Sequence, residues 1–488
     1  MDLPSSLTIP QEDWERTPIS VQVVLSAQWQ ENRLLKQQGD MQQEQIAKLE
    51  TEVAHFREQV NRNSCNSSKP PSSDGPGVPP RPKAEPSGRK VGGQKGHHGH
   101  GRKLKPPQQV DRIVVCKPDT CSQCGTLLLG EDTTPQRHQV SELPKTKPEI
   151  TEYQLHTLTC VVCGAKTSGS WPEDMPEGSF GPRTQALVGY LGGRFGMSDR
   201  DVVELMEIGF HTQMSLGSVP AQEQSVSEAL EAPVEEAKGY VRQQPSVNLD
   251  ETGWHEMGKQ AWLWVGATSL VTVFVLLATR SAEGVKRLLG EAFTGILGSD
   301  RWTAYQGFDP LRRQVCWAHL KRDFQALLER GGESQIIGKL LLKQTDLIFS
   351  HWHRVRDGTL SRVDFSALMQ SVRTDVKALL EIGKLLDHAT TRKTCANILN
   401  LEPALWNFVD HEGIEPTNNA AERPLRRGVI WRKRCFGTQS QQGSLFVERI
   451  LTAVLTLRQQ DRDVLDFLTH ACHARNSAIH APSLLPTD

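Results

Sequence analysis

The sequence lacks an excess of charge of either sign: its 488 residues contain 56 Lys and Arg against 57 Asp and Glu. Net charge therefore gives no argument for a nucleic-acid partner, which has to be judged from where the charges lie. The opening MDLPSSLTIP also lacks the basic and apolar regions of a secretory signal. A chain of this length is expected to hold about two to four domains, with at least one large core.

Uncharged runs long enough for a membrane span are also scarce. AWLWVGATSLVTVFVLLA, residues 261–278, has eighteen uncharged residues, which is the lower limit for a span. The run is rich in Val, Thr and Trp and is interrupted by Gly266 and Ser269. Two buried strands joined by a turn near ATSL are the better prediction, and we expect no membrane partner.

Cysteine is unevenly used, because four of the ten cysteines form two CxxCG motifs, CSQCG at 121–125 and CVVCG at 160–164. Such pairs without a secretory signal favour a metal site in a reducing cytoplasm over disulfides. The two-residue gap lets both sulfurs of a pair reach one ion. We predict a zinc ribbon over residues 108–172, with structural Zn²⁺ bound by Cys121, Cys124, Cys160 and Cys163. Cys116 and His138 lie nearby but lack the paired spacing.

Residues 19–62 are predicted to form a helix. Ile46, Leu49, Val53, Phe56 and Val60 repeat at the 3-4-3-4 spacing of a coiled-coil seam. A dimer zipper and an amphipathic helix docked on its own domain both explain this pattern.

The segment 63–107 is rich in Pro, Gly and Ser, with nine Lys or Arg and two acids. Its composition predicts a linker whose basic residues suit a phosphate backbone, although a purely solubilising linker explains it too. The candidate DNA contacts in this part of the chain are Lys95, Arg102 and Lys103.

The rest of the chain predicts an α/β core with helical additions. Residues 180–243 are predicted as a helical DNA-binding or connecting region. Three strands with short turns, a helix and a fourth strand able to pair with the first follow, so we assign 244–330 to a mixed sheet of ribonuclease-H-like type. The remaining predicted segments are a helical insertion at 331–412, a return to the core at 413–445 and C-terminal helices at 446–488.

Two acids are predicted at the ends of neighbouring strands. In VNLDETGWHE, Asp250 is expected to end the first strand before a turn at Gly253, and Asp300 to end the fourth. Two carboxylates at one sheet edge repel each other, an arrangement that a divalent cation relieves. Mg²⁺ is commonly held by one or two carboxylates together with substrate phosphates. Glu251 would point to the opposite face from Asp250.

Glu422 is the candidate third acid. It lies in NNAAERPLRR, and Arg426 four residues later shares its helical face and could bind a phosphate. A capping box, with Asn419 as N-cap and Glu422 at N3, explains the same residues. Cys316 and His319 in CWAHLKRDF could bind a metal, but a buried Cys beside a partly buried His is the simpler interpretation.

Several motifs together resemble one known family. NLDETGW, SDRWTAY, CWAHLKRDF and NNAAERPLRRGVIWRKRCFG, with NSSKPPSSDG, GGQKGHHGHGRKL and the two CxxCG motifs, resemble the DDE transposases of bacterial insertion sequences. The specific resemblance is to the insertion-sequence-sixty-six family (TnpC type), and it covers nearly the whole chain.

The resemblance implies a ribonuclease-H-like core in which Asp250, Asp300 and Glu422 hold two Mg²⁺ ions, with Mn²⁺ able to substitute. The implied reaction cuts the element's ends and joins the freed 3′-hydroxyl to target DNA without a covalent enzyme intermediate. Arg426, Arg432 and Lys433 are candidates for positioning the backbone. The implied partners are double-stranded DNA, a second copy of the chain and helper proteins of the same element, in the bacterial cytoplasm at the nucleoid.

Two other interpretations remain. A hydrolytic nuclease on the same fold would use the same acids but would never join a 3′ end to a new strand. A non-catalytic regulator would need only the zinc ribbon and the coiled coil to bind DNA.

Overall fold

The computed structural model describes residues 10–61, 63, 67–69, 103–172, 175 and 178–486. The chain divides into two compact units, Met1–Ala84 with Lys321–Lys343, and Glu85–Leu320 with Gln344–Asp488. Most of the predicted basic linker, including Lys95 and Arg102, lies outside the described residues.

The first unit begins with helices α1 (Gln11–Arg16) and α2 (Ile19–Asn61). Helix α2 continues through Gly39, and its bounds confirm the helix predicted from the heptad-like pattern. The seam side chains are exposed, from 46% for Val53 to 82% for Val60. Such a stripe suits a partner helix, so pairing through α2 stays a prediction.

Residues 103–172 contain a short antiparallel hairpin of β1 (Thr157–Thr159) and β2 (Lys166–Ser168). No side chain between residues 103 and 172, all of them described, is buried. A segment of this size without a core ordinarily needs a metal or disulfides to stay folded.

Between residues 178 and 245, all of them described, four helices and one π-helical turn lead to the large sheet. They are α3 (Pro182–Tyr190), the π-helix Leu191–Phe195, α4 (Asp199–Phe210), α5 (Ser218–Ala229) and α6 (Glu231–Arg242). The helical character expected for 180–243 is thus present. Helix α4 begins at a capping box, in which Ser198 and Asp201 each bond the other's backbone N–H.

Five strands of the described chain form one mixed sheet in the order β5-β4-β3-β6-β7. Strands β3, β4 and β5 are antiparallel neighbours, whereas β6 pairs in parallel with β3, and β7 with β6. The predicted order of three adjoining strands, a helix and a strand beside the first is confirmed. The elements are β3 (Ser246–Glu256), β4 (Lys259–Ala267), β5 (Thr272–Leu277), α7 (Ala282–Leu289), β6 (Ile296–Ser299) and β7 (Arg313–Val315).

Strand β3 corrects one prediction. It does not end at Asp250 or turn at Gly253, because both residues lie inside its long ladder with β4, where Asp250 faces Val265 and Gly253 faces Trp262. The turn comes at Met257 and Gly258, which have φ angles of 50° and 73°. Cross-strand pairing with the apolar β4 outweighs the weak strand propensity of Asp250 and Glu251.

The chain continues after the sheet as a series of helices, and residues from some of them pack against the two faces of the sheet. One hydrophobic cluster contains Trp264 and Ile450, and another contains Leu263 and Leu425, so neighbouring β4 residues pack on opposite faces. No helix of the described chain is long and apolar enough to cross a membrane. The helices are α8 (Trp317–Glu329), α9 (Gly332–Arg356), α10 (Arg362–Leu385), α11 (Ala389–Leu399), α12 (Asn407–Asp410), α13 (Asn419–Cys435), α14 (Gln441–Gln459) and α15 (Val464–Asn476).

The outer edge of the sheet is closed by α14. The backbone N–H groups of Thr272, Phe274 and Leu276 on β5 donate to Thr456, Thr452 and Glu448, at 3.1, 3.0 and 2.7 Å. Side-chain acceptors four residues apart on α14 are therefore aligned with the backbone N–H groups of every second residue of β5, and they cover the free edge of this strand.

Glu448 gives this edge a pH dependence, because burial raises the pKa of its carboxyl to about 7 from 4.5. A carboxyl whose pKa is raised in the folded state contributes its full stability at pH values below the pKa of the unfolded state. For Glu448 that contribution is lost as the pH rises from about 4.5 to 7. Glu448→Gln keeps an acceptor for Leu276, so we expect it to raise the free energy of unfolding by about 3 kcal/mol at pH 8 and leave it unchanged at pH 4. Urea unfolding at both pH values measures this, with Glu291→Gln, 84% exposed, as the neutral control.

Candidate active site

Asp250 and Asp300 lie level with each other on neighbouring strands. The parallel register pairs Ser246 with Ile296 and Asn248 with Gly298, so Asp250 and Asp300 each lie two residues beyond the last pair. Adjacent strands are about 4.8 Å apart. Asp300 directly follows β6, as predicted, whereas Asp250 is in mid-strand at the point where the β6 pairing stops.

The turn after Asp300 is held by a buried arginine. Arg313, with no exposed surface, donates from Nη2 to the Asp300 carbonyl at 2.6 Å, from Nη1 to the Tyr305 carbonyl at 3.0 Å and from Nε to Ser299 Oγ at 3.0 Å. Asp300 Oδ1 also accepts the backbone N–H of Trp302 at 2.8 Å. These contacts fix the backbone that carries the Asp300 carboxylate.

Glu251 belongs to a different network on the other face of β3. Its buried carboxylate accepts from Arg280 Nε at 2.8 Å and from the Tyr305 hydroxyl. The Arg280 guanidinium lies over the Trp302 ring at 3.8 Å and the Trp262 ring at 4.7 Å. Glu251 therefore points away from Asp250, as expected, and its carboxylate anchors the loop after Asp300 through Tyr305.

Helix α13 brings Glu422 to the two aspartates. Its N-cap is Asn418, whose side chain makes no capping bond, so the capping box expected from Asn419 and Glu422 is wrong. The Asn418 side chain instead reaches β3, donating to the Leu249 carbonyl at 2.7 Å and accepting from Asn248 Nδ2 at 2.9 Å. Asn418 thus ties the start of α13 to the residue preceding Asp250.

The start of α8 holds the same segment from another side. The Asn418 backbone N–H donates to Cys316 Sγ at 3.2 Å, and the Trp317 N–H donates to the Pro416 carbonyl at 2.9 Å. His319 Nδ1 lies 3.6 Å from Glu422 Oε1. Sequence reasoning named Cys316 and His319 without assigning them a role, and it missed Asn418, Arg280 and Arg313, whose contacts join residues distant in the chain.

The surroundings of Asp250 oppose the ionisation of its carboxyl. Burial is the largest cause that raises the pKa of Asp250 well above its usual value, followed by the negative charges of Glu251, Asp300 and Glu422. Burial, followed by the charge of Asp300, also raises the pKa of Glu251. Four carboxylates share this region, so ionising them together is unfavourable unless positive charge is added.

Two groups of side chains are candidates for metal binding. Cys316, His319 and Glu422 offer ligand atoms within 4.8 Å of one another, the closest such group in the described residues. Burial raises the pKa of the Cys316 thiol to about 11, and a thiol is a poor ligand without deprotonation. The predicted buried Cys beside a half-buried His is what the structure contains.

Asp250, Asp300 and Glu422 suit Mg²⁺ better. Carboxylate oxygens are the hard ligands that Mg²⁺ prefers. Their oxygens are more widely spread than the 4.8 Å of the first group, but carboxylates that share two ions about 4 Å apart can lie up to about 8 Å from one another. The donor chemistry and the raised pKa of Asp250 therefore fit a pair of divalent cations.

The candidate DNA contacts on α13 separate into two sets. Arg426 and Lys433 are exposed on the face that carries Glu422. Arg432 is turned inward, where its Nη1 donates to the Gly253 carbonyl and lies 3.4 Å from Thr252 Oγ1. It holds α13 on β3, which argues against the predicted phosphate contact for Arg432. Lys103 is exposed.

The two CxxCG motifs adopt one backbone geometry. The Gly125 N–H donates to the Cys121 carbonyl and the Gly164 N–H to the Cys160 carbonyl, each at 2.9 Å. Both glycines have positive φ, 73° and 68°, which glycine adopts most readily. The two pairs are not drawn together into one four-sulfur group in the described chain, so shared zinc stays a prediction.

Comparison with known proteins places this arrangement in a family. Residues 206–445 match the family described as "Transposase IS66 family", and residues 18–103 match a family of unknown function, DUF6444. "Uncharacterized protein y4hP" of Sinorhizobium fredii (strain NBRC 101917 / NGR234) is 24% identical over 398 residues, 72% of this chain and 70% of that protein.

"Uncharacterized protein y4qI" of the same organism is 27% identical over 237 residues, 43% of each chain, so the matched part is less than half of that relative. The family match spans the sheet and α13, and therefore Asp250, Asp300 and Glu422. Residues 206–445 therefore form a transposase domain of the IS66 family.

Proposed function

We propose that the protein is a DNA transposase that cleaves the ends of its element and joins them to target DNA, using Asp250, Asp300 and Glu422 on a ribonuclease-H-like core. The observation that carries this proposal is that Asp250 is level with Asp300 and feels the charges of both Asp300 and Glu422. Residues 50 and 172 positions apart in the chain therefore meet at one site inside a transposase-family domain.

The three acids have distinct positions in this scheme. Asp250 is central, because Asp300 adjoins it on β6 and Glu422 approaches it from α13. Two bound Mg²⁺ ions would activate the attacking oxygen and stabilise the leaving one. Asp250, Asp300 and Glu422 would together hold these ions.

The protein's other groups position these acids and the DNA. Arg313 holds the Asp300 turn, and Asn418 holds α13 against β3. Exposed Arg426 and Lys433 on the Glu422 face would bind the strand backbone. His319 beside Glu422 would limit the directions that this carboxylate can take.

The two alternatives explain less. A regulator that only binds DNA has no use for a buried Asp250 whose ionisation is opposed by three other acids. A hydrolytic nuclease would use the same site, so only its product distinguishes it from a transposase. We propose that the protein acts in the bacterial cytoplasm, where its DNA lies, with helper proteins of the element as further candidate partners.

The N-terminal parts would bring DNA ends together. We propose that the exposed seam of α2 pairs two copies of the chain. The basic linker and the CxxCG segment would bind the terminal repeats. Zinc would be structural there, because the segment has no buried side chain to hold it folded.

Zinc binding can be tested with cysteine variants. We expect the purified chain to carry about one zinc ion, and Cys160→Ser with Cys163→Ser to lose it, because two sulfurs cannot complete a tetrahedral site. Elemental analysis measures the metal, and circular dichroism should show that the helices remain. Cys116→Ser and Cys435→Ser, both exposed and outside the pairs, are the matched controls and should retain zinc. Full zinc content in the double variant would contradict the assignment.

The function is tested by supplying DNA that carries the element's ends together with a target plasmid and Mg²⁺. We expect labelled ends to become covalently joined to the plasmid, and native gels to contain a complex with two ends. Cleavage without joined product would favour the nuclease. Binding without cleavage would favour the regulator.

A further inference from the structure

A small basic cavity lies between the π-helix Leu191–Phe195, α13 and α14. Its volume is about 150 Å³, and its walls include Arg194, Arg427, Arg434, Trp431, Leu451 and Val454. That is the volume of about five water molecules at about 30 Å³ each, which is enough for a phosphate group. It is separate from the acids described above and has the opposite charge.

The π-helix is held firmly against α14 and α13. A Cβ added to Gly193 would lie 2.4 Å from Ile450 Cγ1, so only glycine allows this approach. Arg434 Nη1 donates to the Phe195 carbonyl at 2.8 Å, where the π-helix ends at left-handed Gly196 with φ 65°. π-helical turns are rare and frequently occur at functional sites.

Among the described residues, no carboxylate lies within ion-pair distance of the cavity arginines Arg194, Arg427 and Arg434, and the buried Nε of Arg194 has no hydrogen-bond acceptor. Burial, followed by the positive charges of Arg427 and Arg458, lowers the pKa of Arg194. A buried donor without an acceptor costs free energy, and an anionic ligand would supply one.

The nearby acid Glu223 does not neutralise this charge. Its carboxyl lies against Gly192, and burial, followed by the charge of Asp199, raises its pKa to about 8. It is therefore mainly uncharged at neutral pH. The cavity retains net positive charge.

The cavity lies along α13 from Glu422. At 1.5 Å per residue, Arg427 and Arg434 are about 7.5 and 18 Å further along the helix axis than Glu422. Successive phosphates of one DNA strand advance about 3.4 Å along the duplex. The exposed surface of α13 runs from Glu422 past Arg426 to this cavity. A DNA strand bound along α13 would follow the same path.

We propose that Arg194, Arg427 and Arg434 bind a backbone phosphate of the DNA strand about two to five nucleotides from the phosphate cleaved at Asp250 and Glu422. The position along the strand rests on the proposed function. The anion-binding chemistry does not, because the arginine forks suit any phosphate oxygen.

The test measures DNA affinity against salt for Arg194→Gln, Arg427→Gln and the double variant. The probe is a fluorescein-labelled duplex of arbitrary sequence, titrated in about 50 to 200 mM NaCl. Losing one phosphate contact should reduce the slope of log K against log salt by about 0.9 and weaken binding about tenfold in the double variant. Arg427→Lys, which keeps the charge, should retain the slope.

Arg287→Gln is the matched control, because Arg287 is exposed on α7, which packs on the Trp264 face of the sheet and not on the α13 face. Its DNA affinity should equal that of the wild type. Arg427 is exposed, so Arg427→Gln should fold normally, and thermal melting checks this. An unchanged salt slope in a folded double variant would overturn the proposal. The proposal would also be overturned if calorimetry showed that the cavity binds inorganic phosphate while the variants bind DNA as tightly as the wild type.

Failure of the phosphate site and failure of the proposed transposase function give different experimental results. If the cavity binds DNA, the double variant should still cleave at saturating protein concentration, because the acids are intact. Weaker DNA binding without any cleavage by the wild type would support the phosphate site and overturn the transposase. Cleavage by the wild type, together with unaltered DNA binding by the double variant, would support the transposase and overturn the phosphate site.

Discussion

Replacing Asp250 by Asn should reduce Mg²⁺-dependent cleavage and joining by at least about 1,000-fold. The substitution preserves the size of the side chain but removes the charge that faces Asp300 and Glu422. Metal-assisted phosphoryl transfer depends on several kcal/mol of charge stabilisation, and each 1.36 kcal/mol is a factor of ten in rate. The rate is measured with labelled element ends, under single-turnover conditions.

The same variant should fold and bind DNA like the wild type. Burial and three neighbouring acids oppose the charge of Asp250, so the amide should leave the melting temperature equal or higher. Glu256→Gln is the matched control, because it makes the same acid-to-amide change six residues later on β3 and should retain full activity. Efficient joining by Asp250→Asn would remove Asp250 from the proposed catalytic site.

Replacing Arg313 by Met should lower the free energy of unfolding by about 3 to 5 kcal/mol, the cost typical of breaking a buried charged network. Arg313 has no exposed surface and supplies donors to Ser299, Asp300 and Tyr305. Burial lowers the pKa of its guanidinium to about 10, so it is charged at neutral pH. Methionine fills much of the volume but leaves these oxygens without donors in the interior.

Urea unfolding measures this loss, and the adjacent Arg312 provides the control. Arg312 is exposed and lies 3.6 Å from Asp309 in a surface ion pair, so Arg312→Met should cost less than about 1 kcal/mol. Folded Arg313→Met should also cleave DNA more slowly, because the turn that carries Asp300 is loosened. Equal stability for the two variants would show that the Arg313 network contributes little.

Much of the fold follows from local patterns. Short apolar runs separated by turns predicted β3, β4 and β5, and the order of strands and helix predicted that β6 would lie beside β3. The end of β3 was not predictable in this way, since Asp250, Glu251 and Gly253 all favour a turn. They remain in a strand because the long ladder with β4 satisfies their backbone groups.

Contacts between distant segments of the candidate site were likewise not predictable from local sequence patterns. The acids could be proposed from their positions. The start of α13 was predicted as a capping box with Asn419 as N-cap, since Asn and Glu at that spacing are typical of a cap, and Asn418 was not identified. Its bond to Leu249 joins residues 169 positions apart. Arg432, one of several basic residues in a row, could not be told from its exposed neighbours until α13 packed on β3.

The sequence by itself determined which residues are available: acids after apolar strands, paired cysteines followed by glycine, and a basic run on one amphipathic helix. Side-chain chemistry and periodicity act over a few residues, so a sequence can express them. Only the tertiary structure decided which of these residues meet. The approach of Glu422 to Asp250, the burial of Arg313 and the acid-free arginines around Arg194 all depend on contacts between distant segments, whose geometry is set by packing and not by local propensity.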